Sequence, residues 1–161
     1  MFYIELNKEM KKFVYCIFII IGLFFVSSCS KNEPEGGSNA VKGKYKIEVT
    51  QTGDLEYFTI DTSITGGNGL NNGIYDENGN DLGTSYSLSE KESKRSFYSY
   101  ETADDGITLI FVQLAYCEDL TKSMTTEVKV YFNGKLFDTI KRTFKGEDTS
   151  PLSKHWIQVE D

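Results

Sequence analysis

One histidine, His155, is all the imidazole chemistry available to this chain of 161 residues. A serine or cysteine nucleophile needs a base held beside it and a carboxylate behind that base. His155 lies past the last strongly apolar stretch, and the chain has no G-x-S-x-G elbow, no glycine-rich loop entering a helix and no H-E-x-x-H. The adjacent acids Asp104-Asp105 and Glu118-Asp119 could suggest a carboxylate pair, but neighbours on a strand point to opposite faces, so both pairs read as solvated turn charges. Asp76, Asn78, Asn80 and Asp81 in DENGND offer oxygens at alternating positions, as a calcium loop does. Its glycine stands at the fourth place instead of the sixth, and Ser87 takes the twelfth, where a bidentate glutamate belongs. A hairpin turn explains the same letters. The expectation is therefore a protein that is not an enzyme, with no catalytic residue, no metal site and no cofactor.

Cysteine chemistry is more specific. Lys11 and Lys12 precede an apolar run from Phe13 to Val26, followed by Ser27, Ser28 and Cys29. The run is fourteen residues long, short of the ~20 that span a bilayer, and no positive stop-transfer cluster follows. Val26-Ser27-Ser28-Cys29 resembles the lipobox of bacterial lipoprotein signals, usually Leu, Ala or Ser, Gly or Ala, then Cys, and is similar to the looser signals of Bacteroidota lipoproteins. The resemblance implies removal of residues 1–28, acylation of Cys29 with fatty chains such as palmitate, and a membrane partner reached through that lipid. Met1–Glu9 carries Glu5 and Glu9, against the positive start of a signal, which makes Met10 an alternative start of translation. Lys31, Asn32, Glu33 and Glu35 resemble the charged motif that sends Bacteroidota lipoproteins to the outer face of the outer membrane. The implied location is the outer membrane, with the cell surface and the periplasmic face both open.

Removing Lys8, Lys11, Lys12, Glu5 and Glu9 from 17 basic and 24 acidic residues leaves 14 and 22, a net charge of −8. That excess excludes nucleic acid as the natural partner. Cys16 goes with the signal and Cys29 takes lipid, so Cys117 has no intramolecular partner and a disulfide framework is excluded. Cys117 follows an apolar strand and precedes Glu118 and Asp119, which disfavour a thiolate, so it reads as structural. Residues 29–41 are polar and glycine-rich and form a lipidated tether; residues 42–147 form one domain, large enough to bury a core without a staple. Residues 148–161 are a C-terminal tail.

Within that domain the period is two. Tyr45, Ile47 and Val49 alternate with Lys44, Lys46 and Glu48, and Phe58, Ile60 and Ile64 repeat the pattern, with Gly53-Asp54 as the turn of an up-down pair. Gly66–Gly73 is a glycine-asparagine loop, and Ile74-Tyr75 lead through Asn78-Gly79 to Leu82 as a short hairpin. Phe97, Tyr98 and Tyr100 mark another strand. Ile107–Tyr116 is the most apolar one and belongs mid-sheet, with Ile110, Val112 and Leu114 toward the core and Gln113 on the other face. Val128–Phe144 closes the domain as a hairpin. For Val128, Val130, Leu136, Ile140 and Phe144 all to face inward, opposed positions must sum to an even number, which demands a three-residue loop such as Phe132-Asn133-Gly134 and sets Lys129 opposite Phe137. The total is a seven-stranded antiparallel β-sandwich, all-β, immunoglobulin-like or transthyretin-like.

The mature chain as a whole resembles the small single-domain Bacteroidota lipoproteins of unknown function. The function expected is a non-catalytic binding or interaction module for a protein or glycan, the alternative being a passive structural component of an outer-membrane assembly. Outward parity nominates Tyr57, Tyr131 and Phe137 as contact residues, since an aromatic turned to solvent offers a stacking surface, with the adaptable Gly66–Gly73 loop as the alternative contact region. The competing expectation is that the tail, with Trp156 and Ile157, folds back over this face.

Overall fold

A computed structural model describes residues 40–68, 73–146, 148 and 150–160. Cys29, most of the tether and the middle of the Gly66–Gly73 loop lie outside the described residues. The strands are β1 (Tyr45–Gly53), β2 (Thr59–Gly67), β3 (Ile74–Tyr75), β4 (Ser85–Ser87), β5 (Phe97–Thr102), β6 (Thr108–Tyr116), β7 (Ser123–Phe132), β8 (Lys135–Lys145) and β9 (Leu152–Trp156). The one α-helix among them, α1 (Glu90–Ser93), is a single turn, closed at its start by a capping box between Ser89 and Glu92. Two antiparallel sheets result, β3-β5-β1-β7-β8 and β4-β2-β6-β9. The chain is thus all-β with the sheets of a sandwich, but with nine strands among the described residues instead of seven. Ser85–Ser87 (SYS) and Leu152–Trp156 (LSKHW) have almost no apolar alternation, which is why the pattern passes over them. Within the span expected as a tail, β9 pairs with β6.

β1 follows its alternation: Tyr45, Ile47 and Val49 have no exposed surface, while Lys46 and Glu48 point away from the core. Its expected partner is wrong, however. β1 and β2 lie in different sheets, joined by a 3-10 turn at Leu55–Tyr57, and β1 pairs with β5 and β7 instead. Two apolar strands that alternate say that each has a buried face, not that they share hydrogen bonds.

β6 is central in its sheet, between β2 and β9, as its composition predicts, but its two faces are exchanged. Leu109, Phe111, Gln113 and Ala115 point inward, whereas Ile110 and Val112 are half-buried and Leu114 is exposed. A run apolar on both sides gives no parity, and the one polar side chain used to set it is buried for a reason. Thr126 Oγ1 donates to Gln113 Oε1 (2.7 Å), and the Gln113 amide nitrogen lies within reach of Gln51 Oε1 (3.0 Å), Thr62 Oγ1 (3.2 Å) and the Tyr98 hydroxyl (3.4 Å). Gln51 in turn donates to the carbonyls of Ser93 and Arg95 at 2.7 and 2.8 Å, tying the end of α1 to the core.

These polar residues form a belt. On β2 it is Thr62 between Ile60 and Ile64, on β6 Gln113 between Phe111 and Ala115, and on β7 Thr126 between Met124 and Val128. Each sits between one apolar cluster, containing Tyr45, Ile47, Ile64, Phe111, Val128 and Trp156, and a second, built from Phe58, Ile60, Ala115, Cys117, Met124 and Phe144.

The β7–β8 hairpin satisfies the parity rule by a different device. The turn is the two-residue one, Asn133-Gly134, with φ of 49° and 76° as a type I′ turn requires, and Phe132 faces Lys135. Leu136 is exposed as a consequence. The register then shifts between Val130 and Tyr131: Tyr131 faces Leu136, but Val130 faces Asp138, so Phe137 is an extra residue in a bulge. That residue restores the even sum, setting Val128 opposite Ile140 and Met124 opposite Phe144, and Lys129 opposite Thr139 instead of Phe137.

Candidate functional site

The outward side chains of β1 lie between those of β5 and β7. Lys46 is opposite Glu101 on β5 and Tyr131 on β7, and Glu48 is opposite Ser99 and Lys129. The Lys46 ammonium is 2.8 Å from Glu48, the Tyr131 hydroxyl donates to the other Glu48 oxygen at 3.1 Å, and Lys44 pairs with Glu101 at 2.5 Å. The hydrogen bond from Lys46, with that from Tyr131, holds the Glu48 carboxyl below the ordinary range, and the bonds to Glu48 and Glu101 raise Lys46 and Lys44 above theirs. Lys44, Lys46 and Glu48 are therefore charged at neutral pH. They line two adjoining hollows that share Lys44, Lys46 and Glu101. One, of about 620 Å³, reaches over β5 to Tyr75, Asp76 and Asp104; the other, of about 300 Å³, reaches over β7 to Tyr131 and Gly134. Together they form a shallow trough with paired charges along its floor and an aromatic ring toward each end, an arrangement that can hydrogen-bond a polar ligand and stack on its flat face.

The three residues expected to make contacts are not one site. Tyr131 is in the trough. Phe137, the extra residue of the bulge, stays exposed at the end of the sandwich, its ring 6.4 Å from Tyr45 and 6.3 Å from Phe132, beside Val41 and Val159. Tyr57 is at the other end of the sandwich, under the Lys122 ammonium at 4.0 Å. That lysine precedes β7 and Tyr131 nearly ends it, a separation of about 30 Å at ~3.4 Å per residue. The segment 151–160 does not cover Tyr131; its Trp156 is buried in the larger cluster and donates from its indole nitrogen to Asp138 at 2.8 Å. Lys44, Lys46, Glu48 and Glu101 were visible only as the solvent side of an alternation, and nothing in the sequence said that β5 and β7 flank β1.

The remaining candidates have local duties. Asp76 accepts from the backbone nitrogens of Asn78 and Asn80 at 2.9 and 2.8 Å and from the Asn80 side chain, which stabilises its loop and lowers its pKa. Asp119 caps Thr121 in the same way, and Asp105 accepts from Asn68. His155 is exposed, its Nε2 2.7 Å from Thr108 Oγ1. Cys117 is buried. Among the described residues no group of three or more His, Cys, Asp or Glu is placed to hold a metal ion, and no helix is long and apolar enough to cross a membrane.

No protein-family model and no curated protein matches this chain. Solved structures do match. A DUF4425 family protein from Bacteroides ovatus aligns with a TM-score of 0.58 at 21% identity over 72% of this chain and 94% of its own. A DUF4425 domain of unknown function from Bacteroides vulgatus gives 0.61 at 20% identity over 74% and 98%. The calcium-bound form of a protein from Parabacteroides distasonis gives 0.59 at 19% identity over 79% and 99%. The likeness is one of fold.

Proposed function

We propose that this chain is a lipid-anchored lipoprotein of the cell envelope whose immunoglobulin-like or transthyretin-like β-sandwich is a non-catalytic binding module for a protein or a glycan at the outer membrane. The observation that carries the reading is the trough over β5, β1 and β7. Its lining sets Lys44 and Lys46 against Glu48, Asp76, Glu77, Glu101 and Asp104, an excess of carboxylates that, with its hydrogen-bonding and stacking groups, suits a hydroxyl-rich or peptide surface and not nucleic acid. The anchor rests on Val26-Ser27-Ser28-Cys29, and structural neighbours from Bacteroides and Parabacteroides fit a Bacteroidota lipoprotein. Cys29→Ala is expected to accumulate as precursor or soluble protein; recovery in the membrane fraction at the wild-type level with the same mature mass overturns the anchor. For the module, Tyr131→Ala and Lys46→Ala are expected to weaken every ligand found by glycan array or pull-down about tenfold or more, as loss of a buried contact does. A stable envelope partner that both variants retain, with no soluble ligand, favours the passive structural component instead.

A further inference from the structure

The end of the sandwich where the described chain begins carries an apolar patch that the trough does not use. Leu136 is 59% exposed, Val159 41% and Phe137 39%, and with Val41 and Phe132 they line a hollow of about 400 Å³. The two-residue turn sets Leu136 outward, and the bulge places Phe137 beside it. Ala40 bridges Val159, and the Val41 nitrogen donates to the Gln158 carbonyl at 2.8 Å, so the chain leading from Cys29 enters the domain within this patch. That connection is ten residues long, a span of at most about 36 Å at full extension. Its own sequence, SKNEPEGGSN, has no large apolar side chain with which to fill the hollow. The charged residues lining the patch are Lys135 and Glu160, one of each sign on a chain of strongly negative net charge.

We infer that this patch is a membrane-docking tip: Leu136 and Phe137 enter the interfacial zone of a zwitterionic bilayer, with Lys135 at the headgroup level, and the domain stands on its β7–β8 turn beside its lipid. The inference rests on the lipid anchor proposed above. A short tether confines the domain near the bilayer, so even a weak apolar contact is populated, because attachment supplies the effective concentration. Orientation follows. The tip faces the membrane, the Tyr57–Lys122 end points away, and the trough over β5, β1 and β7 runs up the side.

The test uses lipidated full-length mature protein in phosphatidylcholine–phosphatidylethanolamine vesicles with brominated acyl chains, comparing the parent with Leu136→Trp and Tyr57→Trp. Bromine quenching of the tryptophan at 136 is expected to exceed that at 57 by about twofold or more, as for an aromatic at the interfacial depth. Equal quenching at both positions overturns the tip, as does an emission change at 136 that needs a protein partner or raised protein concentration without lipid. Unchanged melting of Leu136→Trp confirms that it folds. If the mature mass shows no lipid, the anchor reading falls separately, and the same quenching comparison on the mature chain coupled through Cys29 to a maleimide lipid in those vesicles decides the tip. Greater quenching at 136 than at 57 supports it, and equal quenching overturns it.

Discussion

Phe111 and Gln113 stand two residues apart on the same face of β6, neither with any exposed surface, yet they hold the sandwich together in different ways. Phe111 belongs to the larger apolar cluster, where attraction scales with area and has no direction. Gln113 belongs to the belt, where each donor needs an acceptor at one distance and angle. The cluster makes the sheets stick; the belt fixes how they align, since Gln51, Thr62, Gln113 and Thr126 come from strands of both sheets and meet only in one register. A slip of one residue would turn every apolar side chain outward, but a slip of two would keep the pattern and break the belt. Polar residues buried amid apolar ones therefore add specificity that hydrophobic burial alone lacks here.

The widest gap lies between the two faces of β6. Phe111→Ala is expected to cost about 3 to 5 kcal/mol in urea unfolding, as for large core truncations, while Leu114→Ala on the exposed face costs under about 1 kcal/mol. Equal costs would mean that the face assignment is wrong. In the belt, Gln113→Ala strands the Gln51 and Thr126 side chains and is expected to cost about 2 to 3 kcal/mol, the price of leaving buried partners unpaired. Because the partners share one network, adding Gln51→Leu should cost less than its separate effect; strict additivity would dissolve the belt into independent bonds. The smallest effect is at the cluster's rim, where Trp156 donates to Asp138. The hydrogen bond from Trp156 holds the Asp138 carboxyl below its usual range. A depressed carboxyl stabilises the fold above its unfolded pKa of about 4, and that stability is lost as pH falls through the lower folded value. Melting curves of Asp138→Asn should show a shallower loss from pH 5 to about 2 than the parent's, and identical slopes would leave Asp138 without a stabilising role.

Legibility followed the same division. β1, β2 and β7 alternate, and their core residues stand where the alternation puts them, because a half-buried strand writes its geometry as a period of two. β6 is apolar throughout, so its burial was legible and its facing was not. Pairing is a property of two segments at once, and nothing within Tyr45–Gly53 records that β5 and β7 are its neighbours. The trough was missed for that reason: its residues were visible one by one, on strands whose adjacency was not. At the hairpin, parity pointed to a three-residue turn with Leu136 inward, whereas the turn has two residues, Leu136 is exposed and the extra residue stands in the strand at Phe137.

Sheet order also has a consequence in time. Among the described strands, only β7–β8 pairs neighbours in sequence; β1 must find β5 and β7, β2 must find β4 and β6, and β9 must return to β6. Loop closure must be met before those contacts reward it, so most of the fold has to be searched for across long stretches of chain. Besides the short turn that bridges Tyr75 to Asp81, the last hairpin is the piece that can form locally, in microseconds, and it offers the β7 edge on which β1 can then dock. Refolding of the domain on a scale of milliseconds to seconds is expected, with substitutions at the Asn133-Gly134 turn slowing it more than they speed unfolding. Stopped-flow chevrons in which those substitutions act only on the unfolding arm would place the nucleus elsewhere.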